Sequence, residues 1–316
     1  MPRRALLAAA RTGLLLAPIL LGACSANDVL STRHLEPVPK RLQRAMAKKD
    51  MALDAPVLMR IFKEEAELEV WKQRADGRYA LLKTYDICKY SGALGPKIKE
   101  GDRQAPEGFY HVSRGLMNPN SSYFLSFNLG FPNRFDRAHG RTGSHLMVHG
   151  ACSSAGCYAM EDDQISEIYA LARDALKGGQ ERFQVQALPF RMTPKNMARH
   201  RANPNFAFWE NLKVGYDHFE LTRRPPAVEV CARSYRFNET AVSGSFLPSA
   251  TCPETRTPER LAKLYADYQS DYRLKFDRAV RRLGGEPAAP SVTVADEPAI
   301  ADVEVPAGVR VEPLGQ

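Results

Sequence analysis

A histidine and a cysteine lie eight positions apart in the run Ser144-His-Leu-Met-Val-His149-Gly150-Ala-Cys152-Ser-Ser154-Ala-Gly156-Cys157-Tyr158. This pair can carry acyl transfer. A thiol must lose its proton to attack a carbonyl, and a neighbouring imidazole can accept it. An adjacent imidazolium brings a thiol from about 8.5 to roughly 3.5–7.5, so a stabilised thiolate is expected. Cys157 is therefore the candidate nucleophile and His149 the candidate general base. The small residues around them let backbone amides approach a developing oxyanion, and the amides of Gly156 and Cys157 are the candidates. Ser154 is read as shaping the turn or binding substrate, and Tyr158 joins it among the substrate-facing candidates. His145 and His149 have the i, i+4 spacing of helical metal ligands. On a strand, however, those positions stand about 13 Å apart. His145 is thus read as substrate-facing or structural, with no metal site and no cofactor expected. Arg141, with Arg134 and Arg137, is a candidate for holding substrate carboxylates, because a guanidinium binds them in a bidentate manner.

These residues need a scaffold, and the surrounding pattern predicts strands. Leu146-Met147-Val148 is a short apolar run that holds His149 rigidly. Val57–Phe62 and Glu67–Trp71 alternate, Asp76-Gly77 supplies a hairpin turn before Tyr79–Leu82, and Tyr123–Phe127 adds a further strand. A helix is predicted after the nucleophile. Glu161, Asp162 and Asp163 crowd its start as dipole complements, Ile165, Ile168, Tyr169, Ala172 and Leu176 recur at helical spacing, and Gly178-Gly179 ends it. Beyond Phe190 the chain becomes rich in helical and aromatic segments. Phe206, Phe208, Trp209, Leu212, Tyr216 and Phe219 read as a helix packed on the β unit, and Leu261–Leu283 as a second, charged helix.

The wording around the pair, LMVHGACSSAGCYAM, resembles the YkuD-type L,D-transpeptidases, and most closely their YafK-like branch. Further segments match in order: Lys83-Thr84-Tyr85, Ser91-Gly92 to Lys97, Glu100 to Tyr110, and Leu125 to Gly130. The resemblance covers Pro56 to Phe190, and more weakly the segment to Phe237. It implies a mostly β fold, a YkuD-like sandwich or barrel with a short helix after the catalytic cysteine, here followed by an α-rich C-terminal extension. It also implies that the Gly150 carbonyl orients His149. The implied substrate is the diaminopimelate amide of peptidoglycan stem peptides, attacked to give a cysteine thioester. Two departures stand out. The wider family separates its histidine and cysteine by more than a dozen positions, and it often carries His before Gly-Cys and Arg two after it, where this chain has Ala155 and Ala159. Both point to a different substrate clamp. Transpeptidation, hydrolysis of a peptidoglycan–lipoprotein link, and non-catalytic peptidoglycan binding all remain open.

The whole chain fits an exported protein. Arg3 and Arg4 precede an apolar stretch through Ala23 that reads as a signal peptide over 1–23, too short for a convincing membrane span. Leu21-Gly22-Ala23-Cys24 resembles a lipobox with Cys24 as the lipidated residue; plain cleavage near Ala26 is the alternative. The expected place is the periplasm, anchored to the outer membrane through lipid. Residues 24–54 read as a tether containing a short amphipathic helix, 55–190 as the catalytic domain, 191–283 as the extension, and 284–316 as a disordered tail. That tail sets six acids against Arg310 alone and has no aromatics to bury. The formal charge of +8 falls by three when Arg3, Arg4 and Arg11 leave with the signal. The remainder suits an anionic envelope polymer, and without a basic–aromatic stripe it does not argue for nucleic acid. Of the four other cysteines, Cys231 is expected to pair with Cys252. Cys152 pairs with Cys88, stays free, or traps Cys157.

Overall fold

The computed structural model describes residues 32–285, so the signal segment, Cys24 and all but the start of the 284–316 tail lie outside the described residues. After a 3₁₀ turn at Thr32–Leu35 the chain forms α1 (Lys40–Ala47), β1 (Val57–Phe62), β2 (Glu67–Gln73), β3 (Tyr79–Asp86), β4 (Lys89–Tyr90) and β5 (Gly108–Ser113). Next come β6 (Met117–Asn118), β7 (Ser126–Asn128), α2 (Arg134–Ala138), β8 (Met147–His149), β9 (Tyr158–Ala159), α3 (Asp162–Lys177) and β10 (Arg182–Leu188). The extension holds α4 (Pro194–Arg199), α5 (Phe206–Thr222), β11 (Val228–Cys231), β12 (Ser234–Phe237), β13 (Thr240–Ala241), β14 (Thr255–Arg256) and α6 (Glu259–Arg282).

Two five-stranded sheets make the β unit, in the orders β3-β2-β1-β10-β5 and β4-β9-β8-β7-β6. In the first, β1 runs antiparallel to β2 and parallel to β10. The sequence reads β1 as alternating, yet all six of its residues are buried. The reason is that both faces are covered. Val57, Met59 and Ile61 enter the main core with α3. Phe62 on the other face packs with Trp209, Leu212 and Tyr216 of α5, and Leu58 with Phe219. Alternation persists, but the extension supplies a second apolar environment for the outward-facing set. The fold is therefore a mostly β unit with an α-rich extension, and the extension shares a core with it. The boundary drawn at residue 190 marks no linker.

Helix α3 buries Ile165, Ile168, Tyr169, Ala172 and Leu176, as their spacing predicts. Gly178 caps it and Gly179 turns the chain at φ +103°. The N-terminal segment departs from expectation. An amphipathic helix does form at α1, but Val38, Leu42, Met46 and Met51 are buried in the main core, so residues 38–51 are part of the fold and not a free tether. Disulfides join Cys88 to Cys152 and Cys231 to Cys252, and Cys157 is a free thiol. Among the described residues, no helix is long and apolar enough to cross a membrane.

Candidate active site

Strand β8 lies between β7 and β9, with His149 opposite Ser126 on one side and Ala159 on the other. Val148 pairs in parallel with Tyr158, which sets Cys157 beside Met147. Side chains alternate along strands, so the inward pair Val148 and Tyr158 leaves Cys157 and His149 on the opposite face together. Both candidates thus lie on one face of the second sheet, on and beside its central strand.

His149 is only 3 % exposed. Its Nδ1 donates to the Gly150 carbonyl at 2.6 Å, which fixes the tautomer and leaves Nε2 with its lone pair. Gly150 has to be glycine. A Cβ there would fall 2.6 Å from Asp162 Oδ1, 2.9 Å from Phe124 Cβ and 3.1 Å from Ile165 Cγ2. Burial pushes the imidazole below its ordinary value, with the Gly150 contact opposing.

The Cys157 thiol accepts from the Met147 amide at 3.4 Å and donates to the His145 carbonyl at 3.6 Å. No hydrogen bond joins it to His149 within the described residues. Burial raises the thiol, while the Met147 amide and the charge of Lys97 pull the other way. Both directions favour a neutral thiol and a neutral imidazole. Burial of the imidazole and partial burial of the thiol both work against the thiolate–imidazolium pair expected from the sequence, and no hydrogen bond couples the two within the described residues.

The turn that presents Cys157 is held from several sides. Ser154 Oγ accepts from the amides of Gly156 at 3.3 Å and Cys157 at 3.1 Å, donates to the Cys157 carbonyl at 2.8 Å, and lies 3.1 Å from Ser91 Oγ. Ser154 shapes the turn, and the two amides assigned to an oxyanion hole are directed at its hydroxyl instead. Gly156 sits at φ +136°, where a side chain is strained. Ala151 and Cys152 take left-handed φ values of 59° and 27° without being glycine. The Cys88 disulfide and the Ala151 amide bond to Asp162 Oδ1, 2.8 Å, hold them there. Asp162 therefore does more than complement the α3 dipole.

Two sequence-based candidates are corrected, and a third stands on different grounds. Tyr158 is fully buried and donates to the Pro106 carbonyl at 2.7 Å, so it supports the turn from behind. Arg141 is buried, pairs with Asp136 at 2.9 Å and stacks on Phe135 and Phe208; Arg134 pairs with Glu229 and Arg137 caps the Pro132 carbonyl. Arg141 is thus committed inside the fold, while Arg134 and Arg137 make their contacts at the surface. His145 is exposed, left-handed at φ 54° and outside β8, and contributes its carbonyl to the thiol. The strand argument for its distance from His149 does not apply. Cys88, Cys152 and Glu161 cluster closely enough to suggest a metal, but both sulfurs are spent in the disulfide.

Sequence reasoning missed Lys97, Tyr123 and Asp162 as parts of the site. Lys97 is 4 % exposed, bonds Asp102 at 2.5 Å and places a positive charge near Cys157. Nothing in its local pattern marks it, since the contact spans sixty residues of chain.

This chain is 45% identical over 226 residues to "Putative L,D-transpeptidase YafK" of Escherichia coli (strain K12), a match covering 71% of the chain and 89% of the relative. The same holds for its counterpart in Escherichia coli O157:H7. The protein belongs to the YafK-type L,D-transpeptidase family. No family model matches the chain. Among solved structures, the cell-shape-determining protein Pgp2 of Campylobacter jejuni aligns at 22% identity and a TM-score of 0.36, over 50% of this chain and 56% of that one. Bd1075 of Bdellovibrio bacteriovorus aligns at 22% identity and 0.30, over 43% and 49%. The family assignment rests on the YafK relatives and needs neither structural likeness.

Proposed function

We propose that this protein modifies peptidoglycan as a cysteine acyltransferase of the L,D-transpeptidase type. Membership of the YafK-type family supports peptidoglycan as the polymer acted on. The observation that carries the chemistry is the meeting of Cys157 and His149 on one sheet face, with Nδ1 committed to Gly150 and Nε2 left basic.

In this reading His149 Nε2 takes the thiol proton as Cys157 Sγ attacks the carbonyl of the amide after diaminopimelate. The carbonyl π electrons move to oxygen, and Lys97 stabilises the charge that develops. Collapse breaks the C–N bond, and the amine leaves with the proton held by His149. The thioester is then opened by an amine, giving a cross-link, or by water, giving hydrolysis. The eight-position separation of His149 and Cys157 and the alanines at 155 and 159 favour hydrolysis as the second reading, with a peptidoglycan-linked outer-membrane lipoprotein as substrate. Export and lipidation at Cys24 belong to the same proposal, which predicts that a palmitate probe labels the wild type and not Cys24→Ser.

Mass spectrometry of free and lipoprotein-linked peptidoglycan fragments, incubated with wild type and with Cys157→Ala, decides between them. New diaminopimelate cross-links made only by the wild type support the transpeptidase. Lipoprotein released without new links supports the hydrolase. Identical products from both proteins overturn the thiol assignment, and retained peptidoglycan binding would then favour a non-catalytic binder.

A further inference from the structure

Tyr123 is half exposed beside the site, and no local pattern assigns it a task. Its ring centroid lies 4.7 Å from that of His149, tilted by 40°. Its carbonyl accepts from the Gly150 amide at 3.0 Å, so it grips the chain next to the imidazole. Its own amide donates to Ser121 Oγ at 3.0 Å. The following residue, Phe124, is left-handed at φ 68° without being glycine. That backbone state costs of order 1–3 kcal/mol and persists only where the surroundings enforce it. Here they do: Arg33 lies over the Phe124 ring at 4.7 Å, and Leu125 is fully buried. The segment is thus bent to bring the tyrosine ring onto the histidine while the next side chain turns inward against Gly150. A surface tyrosine needs none of this.

We propose that Tyr123 is a positioning residue for His149, its ring holding the imidazole in the orientation set by the Gly150 carbonyl and screening it from water. The contact uses the ring face. Among the described residues the hydroxyl has no hydrogen-bond partner, so phenylalanine suffices. The ring covers one side of an imidazole that burial pushes below its ordinary value. The charged groups on neighbouring elements are Asp162 of α3, bonded to Ala151, Arg33 over Phe124, and Lys97 on the thiol side. The substitutions below leave all three in place. For its effect on turnover the inference rests on the proposed thiol chemistry; for the state of the imidazole it does not.

The test is NMR titration of the full chain with labelled histidine, the His149 signals being assigned by their loss in His149→Ala. Tyr123→Ala is expected to move the His149 midpoint up toward an ordinary imidazole, and Tyr123→Phe to keep the wild-type midpoint. In the peptidoglycan-fragment assay Tyr123→Ala should lower kcat by about 10- to 100-fold with little change in KM, as a misaligned base does. Tyr123→Phe should stay within about twofold. A Tyr123→Ala protein that titrates like wild type overturns the proposal, as does an equal shift in both variants, which would implicate the hydroxyl. A wild type with no turnover sinks the proposed function instead, and the titration still decides the role of Tyr123.

Discussion

Two polar clusters lie on either side of the loop between β3 and β5, and they are built on opposite terms. At the node beneath the loop, Lys63 and Glu107 are both fully buried and 3.0 Å apart. Lys63 Nζ also reaches the carbonyls of Ala93, Gly95 and Ala105, and Glu107 accepts from the Gly95 amide and from Trp209 Nε1 of α5. Every donor and acceptor of the pair is answered. At the candidate catalytic turn, His149 is buried and Cys157 half-buried, they make no hydrogen bond to each other among the described residues, and burial disfavours the charged form of each. Saturation makes the first cluster a fixed clamp between the extension and the loop. The second cluster has no such saturation: Cys157 makes only long contacts to the Met147 amide and the His145 carbonyl, and His149 bonds the Gly150 carbonyl. The clamp serves the turn, since the Arg103 and Gln104 backbone it secures lies within 4.0 Å of the position a Gly156 side chain would take.

The comparison breaks first at the turn. His149→Ala should cost at least about 10³-fold in turnover of peptidoglycan fragments, because the residue supplies the proton acceptor, and a smaller loss of thermal stability should accompany it because the ring is buried against Tyr123. Loss of stability with activity retained would invert the roles assigned to the two clusters.

At the node the effect should be on folding. Glu107→Ala strands a buried lysine and should destabilise by about 3–5 kcal/mol in urea unfolding. The double variant Lys63→Met/Glu107→Leu should recover only part of that, since it removes the unpaired charge but strands the Gly95 amide, Trp209 Nε1 and the three carbonyls that the pair answered. Equal losses in single and double variants would mean that shape, not charge pairing, holds the loop.

The acid limb of stability sharpens the contrast further. His111 and His218 are pushed by burial down to about 4 from 6.5. Between pH 6.5 and 4 the unfolded chain binds protons that the folded one refuses, so stability falls as pH drops, by up to about 3 kcal/mol for each histidine. His149 adds to this in the same direction. Activity should instead hold a broad plateau, because lowering the imidazole and raising the thiol moves the two limbs apart. A rate optimum below pH 6 would contradict the neutral pair that both shifts favour.

The smallest effect is expected at Tyr158→Phe, which removes one buried hydrogen bond to Pro106. About 1 kcal/mol of stability should go, with turnover unchanged. A large kinetic loss would restore Tyr158 to the substrate side.

Much of the site was legible because its signals are local. The thiol, the imidazole and the glycines between them stand in one short stretch, and the spacing from Ile165 to Leu176 sets the helix that backs it. The Cys231–Cys252 pairing, closed over a short loop, also came through. What the sequence by itself determined was which residues alternate, which recur at helical period, and which small residues permit a tight turn, because these depend on neighbours along the chain. Only the tertiary structure decided what each face would meet. Period-two alternation in β1 does not reveal that α5 covers its second face, nor does a basic helix at residues 40–47 announce that Leu42 and Met46 plug the core. The same holds for Arg141 and Tyr158, whose partners Asp136 and Pro106 claim them across the fold, and for the choice of Cys88 as the partner of Cys152. The direction in which each member of the candidate pair is shifted was likewise a tertiary property, set by how much water the folded chain leaves around two side chains.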